Sequence, residues 1–233
     1  MKEVAEIYNK VAAKYLERVN TSAYNAYFER PAMLRILGEE LSGLSVLDVG
    51  CASGFYFGKL TELGAKVTGV DISSEMVKAL KEKFGENAAI YQGDVAGACT
   101  FLENPGYDIV LASLSLHYIE DWHALFQKFA AWMPSGGRLI FSTHHPLDDF
   151  DESPSGNYHK IEWYREPWSS YKTEFLYTRR PFGAMTSAIL ENGFAIQQVV
   201  EPLPVPELEA IDYETYDRLR KAPPFICFEC VKH

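Results

Sequence analysis

Residues 46–54 read V-L-D-V-G-C-A-S-G, and the fold is decided here. Apolar residues run into Asp48, and a turn punctuated by Gly50 and Gly54 opens a helix predicted over residues 55–63. Twenty-one residues after Gly50, a second apolar run ends in Asp71. A strand, a bare-backbone turn, a helix and a strand ending in a carboxylate is the way an α/β sheet holds a nucleoside-like ligand. Glycines let the backbone approach the ligand because no Cβ intervenes. Asp71 has two acceptor oxygens for a pair of ribose hydroxyls.

Outward from that stretch, the apolar spacing predicts two helices before it, over 3–19 and 25–41, with Pro31 marking a restart in the second. After it the pattern alternates. Strands are predicted at 45–50, 66–71, 88–92, 108–113 and 138–143, with helices from Ser73 or Ser74 to 84 and over 122–132. Pro134-Ser-Gly-Gly137 is a turn signal. The rhythm breaks at 146–180, a polar and aromatic stretch that includes Trp163, Tyr164, Trp168, Tyr171, Phe175 and Tyr177. So long a non-alternating segment inside a compact domain reads as a functional lid. A helix then begins at Pro181 and ends at Asn192-Gly193, a strand covers 194–201, a short acidic helix covers 211–220 and a last strand covers 225–231. Strands alternating with helices imply a parallel sheet with right-handed crossovers. The expected organisation is one domain: N-terminal helices in 1–42, a ligand-binding core in 43–145, a lid insertion in 146–180 and the rest of the sheet in 181–233.

The composition excludes several classes. The 233 residues are 47% hydrophobic, enough for a sizeable core, yet no apolar run approaches the ~18 residues a membrane span needs. A net charge of −10 argues against a broad basic face for nucleic acid. Met1-Lys-Glu-Val-Ala-Glu has no apolar signal core, so a reducing cytoplasm is expected. Cys227-Phe-Glu-Cys230 is formally C-x-x-C, but it falls in a predicted strand, where residues three apart face opposite sides. No metal site is expected.

A dinucleotide site wants G-x-G-x-x-G around a pyrophosphate, whereas this chain has D-x-G-x-x-x-G with Asp48 just ahead of Gly50. A carboxylate at that mouth suits an ammonium group instead. Residues 46–60 resemble the first motif of the class I S-adenosylmethionine-dependent methyltransferases, especially their small-molecule branch, whose usual form D-x-G-C-G-T-G has glycine where this chain has Ala52. Residues 107–118 and 133–140 are similar to the family's fourth strand and to the turn into its fifth. The resemblance implies a Rossmann-like, doubly wound α/β fold whose seven-stranded sheet runs 3-2-1-4-5-7-6, with strand 7 antiparallel. It implies S-adenosylmethionine as cofactor, S-adenosylhomocysteine as product and a small-molecule methyl acceptor.

The same resemblance assigns the cofactor residues. Gly50, Cys51, Ala52 and Gly54 form the turn, and Asp48 orients the methionine ammonium or only caps the next turn. Asp71 binds the ribose, and Ile72 and Met76 flank the adenine or belong to the core. In Gly93-Asp94-Val95, the Asp94 side chain takes the adenine amino group and the Val95 N–H meets the ring. The family continues there with an acid, leucine and proline, but this chain has Ala96-Gly-Ala-Cys99. Ser113 and Leu114 offer backbone carbonyls to the ammonium. Tyr15 closes over the cofactor or is a core tyrosine.

His117, His144 and His145 fall at predicted strand C-terminal ends. Methyl transfer from a sulfonium needs a base only when the acceptor must lose a proton, and histidine suits that near neutral pH. His117 and His144 are the catalytic candidates. Arg179-Arg180 reads as two solvated arginines or as a grip on an anionic acceptor. Two other classes stay open at this point: a non-catalytic methyltransferase-like binding protein, and a nicotinamide-dependent oxidoreductase with the same sheet.

Overall fold

The computed structural model describes residues 1–99, 102 and 106–233. Among the described residues nine strands form: β1 (Ser45–Val49), β2 (Lys66–Asp71), β3 (Ile90–Gln92), β4 (Ile109–Ala112), β5 (Arg138–His144), β6 (Glu162–Trp168), β7 (Thr173–Arg179), β8 (Phe194–Val200) and β9 (Phe225–Lys232). Seven of them make one sheet in the order β3-β2-β1-β4-β5-β9-β8, and β6 and β7 make a separate pair. Strands β1 to β5 pair in parallel, and β9 runs antiparallel to both β5 and β8. The 3-2-1-4-5-7-6 order holds, with the last strand in sequence inserted antiparallel between its two neighbours.

Alternation of side chains along the strands feeds two cores, one on each face. Val46, Ile109, Leu111, Ile140 and Cys227 pack on one face against α2 (Arg30–Leu37) and α3 (Phe55–Glu62). Leu47, Val110, Leu139, Phe141 and Cys230 pack on the other against α5 (Trp122–Trp132) and α6 (Phe182–Glu191). Cys227 and Cys230 therefore sit in different cores, and all four cysteines are free and buried. Among the described residues, no helix is long and apolar enough to cross a membrane.

Two segments differ from the sequence expectation. The predicted second helix is broken: a π turn spans Asn25–Glu29 before α2, and Gly38 (φ +79°) ends α2. Pro31 has no N–H to donate, so the regular ladder fails one turn earlier, and the wider turn aims Glu29 into the interior. The 146–180 segment is more regular than expected. β6 and β7 form a seven-pair antiparallel hairpin from Glu162↔Arg179 to Trp168↔Thr173. Tyr164, Phe175 and Tyr177 pack with Val4, Val11 and Tyr118, which clamps the hairpin onto α1 (Lys2–Arg18). Beyond these two, a short helix α7 (Glu207–Ile211) stands just before the expected acidic helix, which forms as α8 (Tyr213–Lys221) with Asp212 as its cap.

Candidate active site

The chain runs outward from β1 to β3 and then returns to place β4 on the other side of β1. Such a reversal opens a crevice at the strand C-termini. A cleft of about 910 Å³ lies there, walled by the turn after β1, the ends of β2 and β3, the loop after β4, and α1. Eleven of the sequence-predicted cofactor residues line it: Tyr15, Gly50, Cys51, Ala52, Asp71, Ile72, Gly93, Asp94, Val95, Ser113 and Leu114. Gly54, Met76 and Asp48 stand behind this wall. Gly54 is the left-handed N-cap of α3, and Met76 is wholly buried on α4 (Ser74–Phe84).

The turn is built on tight contacts. Gly50 has φ +73°, and a Cβ there would come within 2.7 Å of Ser115 Cβ. Ala52 adopts φ +40°, a left-handed conformation that costs a non-glycine residue about 1–2 kcal/mol. Its N–H donates to Asp71 Oδ2 at 2.9 Å, and the Ser73 N–H donates to Asp71 Oδ1 at 2.8 Å. Asp71 thus ties the end of β2 to the turn after β1. A carboxylate has about four acceptor positions, so two remain for a ligand. Leu114, at φ +45°, turns the chain after β4, and its N–H is held by Ser142 Oγ at 3.0 Å.

Charge in this region is unbalanced. Asp48 is 1% exposed, its Oδ2 has no partner, and its only help comes from the Phe57 N–H in the first turn of α3. Burial, reinforced by the charge of Asp71, pushes its carboxyl up to about 7. Burial raises Asp71 to about 6, against the pull of the Ser73, Ala52 and Ile72 N–H groups. Two buried carboxylates with no cation paired to either among the described residues fit a ligand that brings positive charge, as the ammonium and sulfonium of S-adenosylmethionine do. Asp71 and Asp94 lie at neighbouring strand ends, where their oxygens are acceptors of the kind a nucleoside's hydroxyl and amino donors need. The residues present fit the cofactor.

Several residues of this site carried no motif signal. Glu29, wholly buried, accepts from Tyr56 Oη (2.9 Å), Ser113 Oγ (2.8 Å) and Ser142 Oγ, which binds α2's N-terminal turn to the ends of β4 and β5. Arg30 lies over the Phe55 ring at 4.0 Å and lines the cleft. The polar pair Glu29-Arg30, set before Pro31 on an otherwise apolar helix face, was the readable sign. Asn9 accepts from Ser73 Oγ at 2.7 Å and fastens α1 to the start of α4. Lys128 donates to the carbonyls of Ala96 and Gly97 and secures the Ala96-Gly-Ala-Cys99 loop.

A second cavity of about 1830 Å³ adjoins the first, and the two share Tyr8, Tyr15, Val19, Asn25, Leu114 and Tyr118. His117 and His144 line only the second, and their rings stack with centroids 3.9 Å apart. His144 Nδ1 lies 3.0 Å from Asp149 Oδ1, which also accepts from Tyr164 Oη at 2.6 Å. Donation from Nδ1 to Asp149 leaves Nε2 as the basic nitrogen. Burial disfavours the charged ring, but the Asp149 carboxylate outweighs it and the His144 pKa is raised. Burial drives the His117 pKa well below the ordinary value, and its Nδ1 has no partner. His145 faces elsewhere: Nε2 meets Glu201 at 3.0 Å, and Nδ1 accepts from the Leu147 N–H.

The expectation for Arg179 and Arg180 is corrected. Both are buried, and neither lines either of these two cavities. Arg179, 0% exposed, donates to the carbonyls of Asn157, Tyr158 and Lys160 and to Glu162. Arg180 lies over Trp122 at 4.1 Å and donates to the Ile119 and Glu120 carbonyls. Loop carbonyls take up these guanidiniums, which sequence spacing does not register.

Comparison with known proteins agrees with this geometry. Residues 47–141 match the family described as a methyltransferase domain. A ubiquinone biosynthesis O-methyltransferase of Bradyrhizobium sp. is 36% identical over 169 residues, covering 68% of this chain and 61% of that protein. This chain therefore spans about three-fifths of that relative's length. A Listeria monocytogenes protein assigned as an S-adenosylmethionine-dependent methyltransferase superposes with a TM-score of 0.77 at 26% identity, covering 88% of this chain and 96% of that one. A DhpI complex with S-adenosylhomocysteine shares the fold, with a TM-score of 0.67 at 18% identity over 99% of this chain and 96% of that one. The motif, the strand order, the cleft and these likenesses agree: the chain carries a methyltransferase domain over residues 47–141, with the fold and cofactor cleft of the class I S-adenosylmethionine-dependent methyltransferases.

Proposed function

We propose that the enzyme methylates a small molecule held in the second cavity, with the cofactor in the first and His144 as general base. The observation that carries this reading is the meeting of the two cavities at Tyr8, Tyr15, Leu114 and Tyr118, with the His144–Asp149 pair confined to the second. When bound, S-adenosylmethionine supplies a methyl group on sulfonium sulfur for in-line displacement. Asp71 and Asp94 hold the nucleoside, the buried charge of Asp48 behind the turn favours the ammonium, directly or through water, and Arg30 takes the methionine carboxylate. His144 Nε2 accepts the proton that a hydroxyl or amine acceptor must lose. Tyr8 and Tyr15 keep water from the junction and set acceptor against donor.

The 1–233 chain acts in this reading as one domain, with 1–42 and the hairpin of 146–180 covering the acceptor side. A hydroxylated acceptor accords with the O-methyltransferase named above. The net charge of −10 accords with an acceptor other than nucleic acid, and four free thiols accord with a reducing cytoplasm. Calorimetric titration with S-adenosylmethionine and S-adenosylhomocysteine tests the site, with NAD as control. Micromolar binding of both and none of NAD is expected; silence from both overturns the assignment of the first cavity.

A further inference from the structure

The second cavity carries more negative charge than a base-assisted methyl transfer needs. Asp148, Asp149, Asp151, Glu152 and Glu166 line it, against the guanidiniums of Arg18 and Arg218. Asp149 is engaged by His144 and Tyr164. None of the other four carboxylates belongs to an ion pair among the described residues. Arg218 is drawn to Tyr24, over whose ring it lies and to whose hydroxyl it donates. Asp148, Asp151 and Glu152 are exposed at the rim, whereas Glu166 on β6 is half-buried further in. The walls between are aromatic, with Tyr15, Tyr164, Trp168, Tyr171 and Tyr177 among the lining residues.

A second observation is independent of the acids. His117 is 3% exposed and lines this cavity, and its Nδ1 has no partner. A buried polar atom without a partner is costly, so a partner from the contents of the cavity is expected.

We infer that the methyl acceptor is a cation: an amine, protonated at neutral pH, carried on an aromatic or apolar body of small-molecule size. This rests on the reading of the second cavity as the acceptor site. Rim carboxylates draw a cation to the mouth. Aromatic ring faces attract it inside, where Glu166 supplies the counter-charge. An anionic acceptor meets like charge at each of these points, and a neutral one leaves Glu166 with only the Trp168 side chain and the nearby His144 ring facing it. The ammonium lies toward β6, and the methylated atom lies toward Leu114 and Tyr118 at the junction with the cofactor cleft. Both the rim acids and Glu166 come from the segment between β5 and α6, so selectivity resides in that insertion.

The test is calorimetry on protein saturated with S-adenosylhomocysteine, using three probes of matched shape: tyramine, 4-ethylphenol and 4-hydroxyphenylacetate. Tyramine is expected to bind about tenfold or more tighter than 4-ethylphenol, with 4-hydroxyphenylacetate weakest. In Asp148→Asn/Glu166→Gln the tyramine advantage should shrink toward unity while S-adenosylhomocysteine affinity stays put. If the double variant does not fold, Glu166→Gln alone must still reduce the advantage. Equal binding of tyramine and 4-ethylphenol, tightest binding of the carboxylate, or no saturable tyramine binding overturns the inference. Failure to bind S-adenosylhomocysteine at all overturns the site reading and this inference with it. Intact S-adenosylhomocysteine binding without a cation preference overturns this inference alone.

Discussion

Replacing Asp48 by Asn separates stability from cofactor binding. The carboxyl is buried, one of its oxygens has no partner, and its pKa is pushed up from 3.8 to about 7. A folded pKa above the unfolded one means that between these values the native chain keeps a proton the unfolded chain has lost. The stabilising contribution is full below the unfolded pKa and is lost as pH rises through 7. At pH 8 the ionised group costs the fold about 4 kcal/mol, taking ~1.4 kcal/mol for each tenfold change in proton affinity. An amide removes that cost but leaves a polar group unpartnered, which costs about 1–3 kcal/mol. The variant should therefore be about 1–3 kcal/mol more stable than the parent at pH 8. In a chain of this size that raises the melting temperature by ~2–4 °C per kcal/mol. Near pH 4, where the acid is neutral and only the amide's unpartnered group counts, the sign should reverse and the variant should be about 1–3 kcal/mol less stable than the parent. Cofactor binding should move the other way, since a hydrogen bond to a charged group worth about 1.5–3 kcal/mol is lost, and S-adenosylmethionine affinity should fall by ~10–100-fold. Urea unfolding at both pH values, with calorimetry of the cofactor, measures the two effects. A variant less stable than the parent at pH 8, or a gain equal at both pH values, refutes the electrostatic account. Unchanged affinity removes Asp48 from the cofactor site.

Three further perturbations probe other parts of the molecule. His144→Gln should lower turnover by ~10²–10⁴-fold with S-adenosylhomocysteine affinity intact. Because Asp149 holds the His144 pKa up, the rate should rise with pH through that raised value, and Asp149→Asn should move the ascending limb to lower pH; a limb that stays in place removes Asp149 from this role. Gly50→Ala meets Ser115 Cβ at 2.7 Å in a left-handed conformation and should cost about 2–4 kcal/mol. Gly193→Ala has the same backbone sign but nothing within 4 Å and should cost only about 1–2 kcal/mol, so equal losses in denaturant titrations would discount the clash. Arg179→Met removes a buried donor shared by the Asn157, Tyr158 and Lys160 carbonyls and Glu162 and should cost about 1–3 kcal/mol. Limited proteolysis should then cut within 146–180 first; an unchanged cleavage pattern would mean that the hairpin does not depend on this guanidinium.

The parallel core was legible because its signals are local. Apolar runs, Gly50, Gly54, the Ser73 cap and the spacing to Asp71 each act over a few residues, and α5 matches its expected 122–132 span at both ends. The hairpin was missed, although Phe175 and Tyr177 alternate with polar neighbours in β7. Pro167 interrupts the matching run in β6, and polar residues separate the two halves. Glu29 was missed for a different reason. A carboxylate in a helical stretch looks solvated until Tyr56, Ser113 and Ser142, from three other elements, are seen to converge on it.

The sequence by itself determined the fold class, the strand order implied by its resemblance, the cofactor and the glycine turn that lines the cleft. These depend on backbone conformation and short-range periodicity, which residue type dictates directly. Only the tertiary structure decided that Asp71 braces the Ala52 turn while facing the cleft, that His144 and not His145 joins Asp149, and that Arg179 and Arg180 are interior clamps. It also brought the acids of the insertion around one aromatic cavity beside the cofactor cleft. Each of these depends on which distant groups share a low-dielectric space, where an unpaired polar atom or charge costs enough to select its partner.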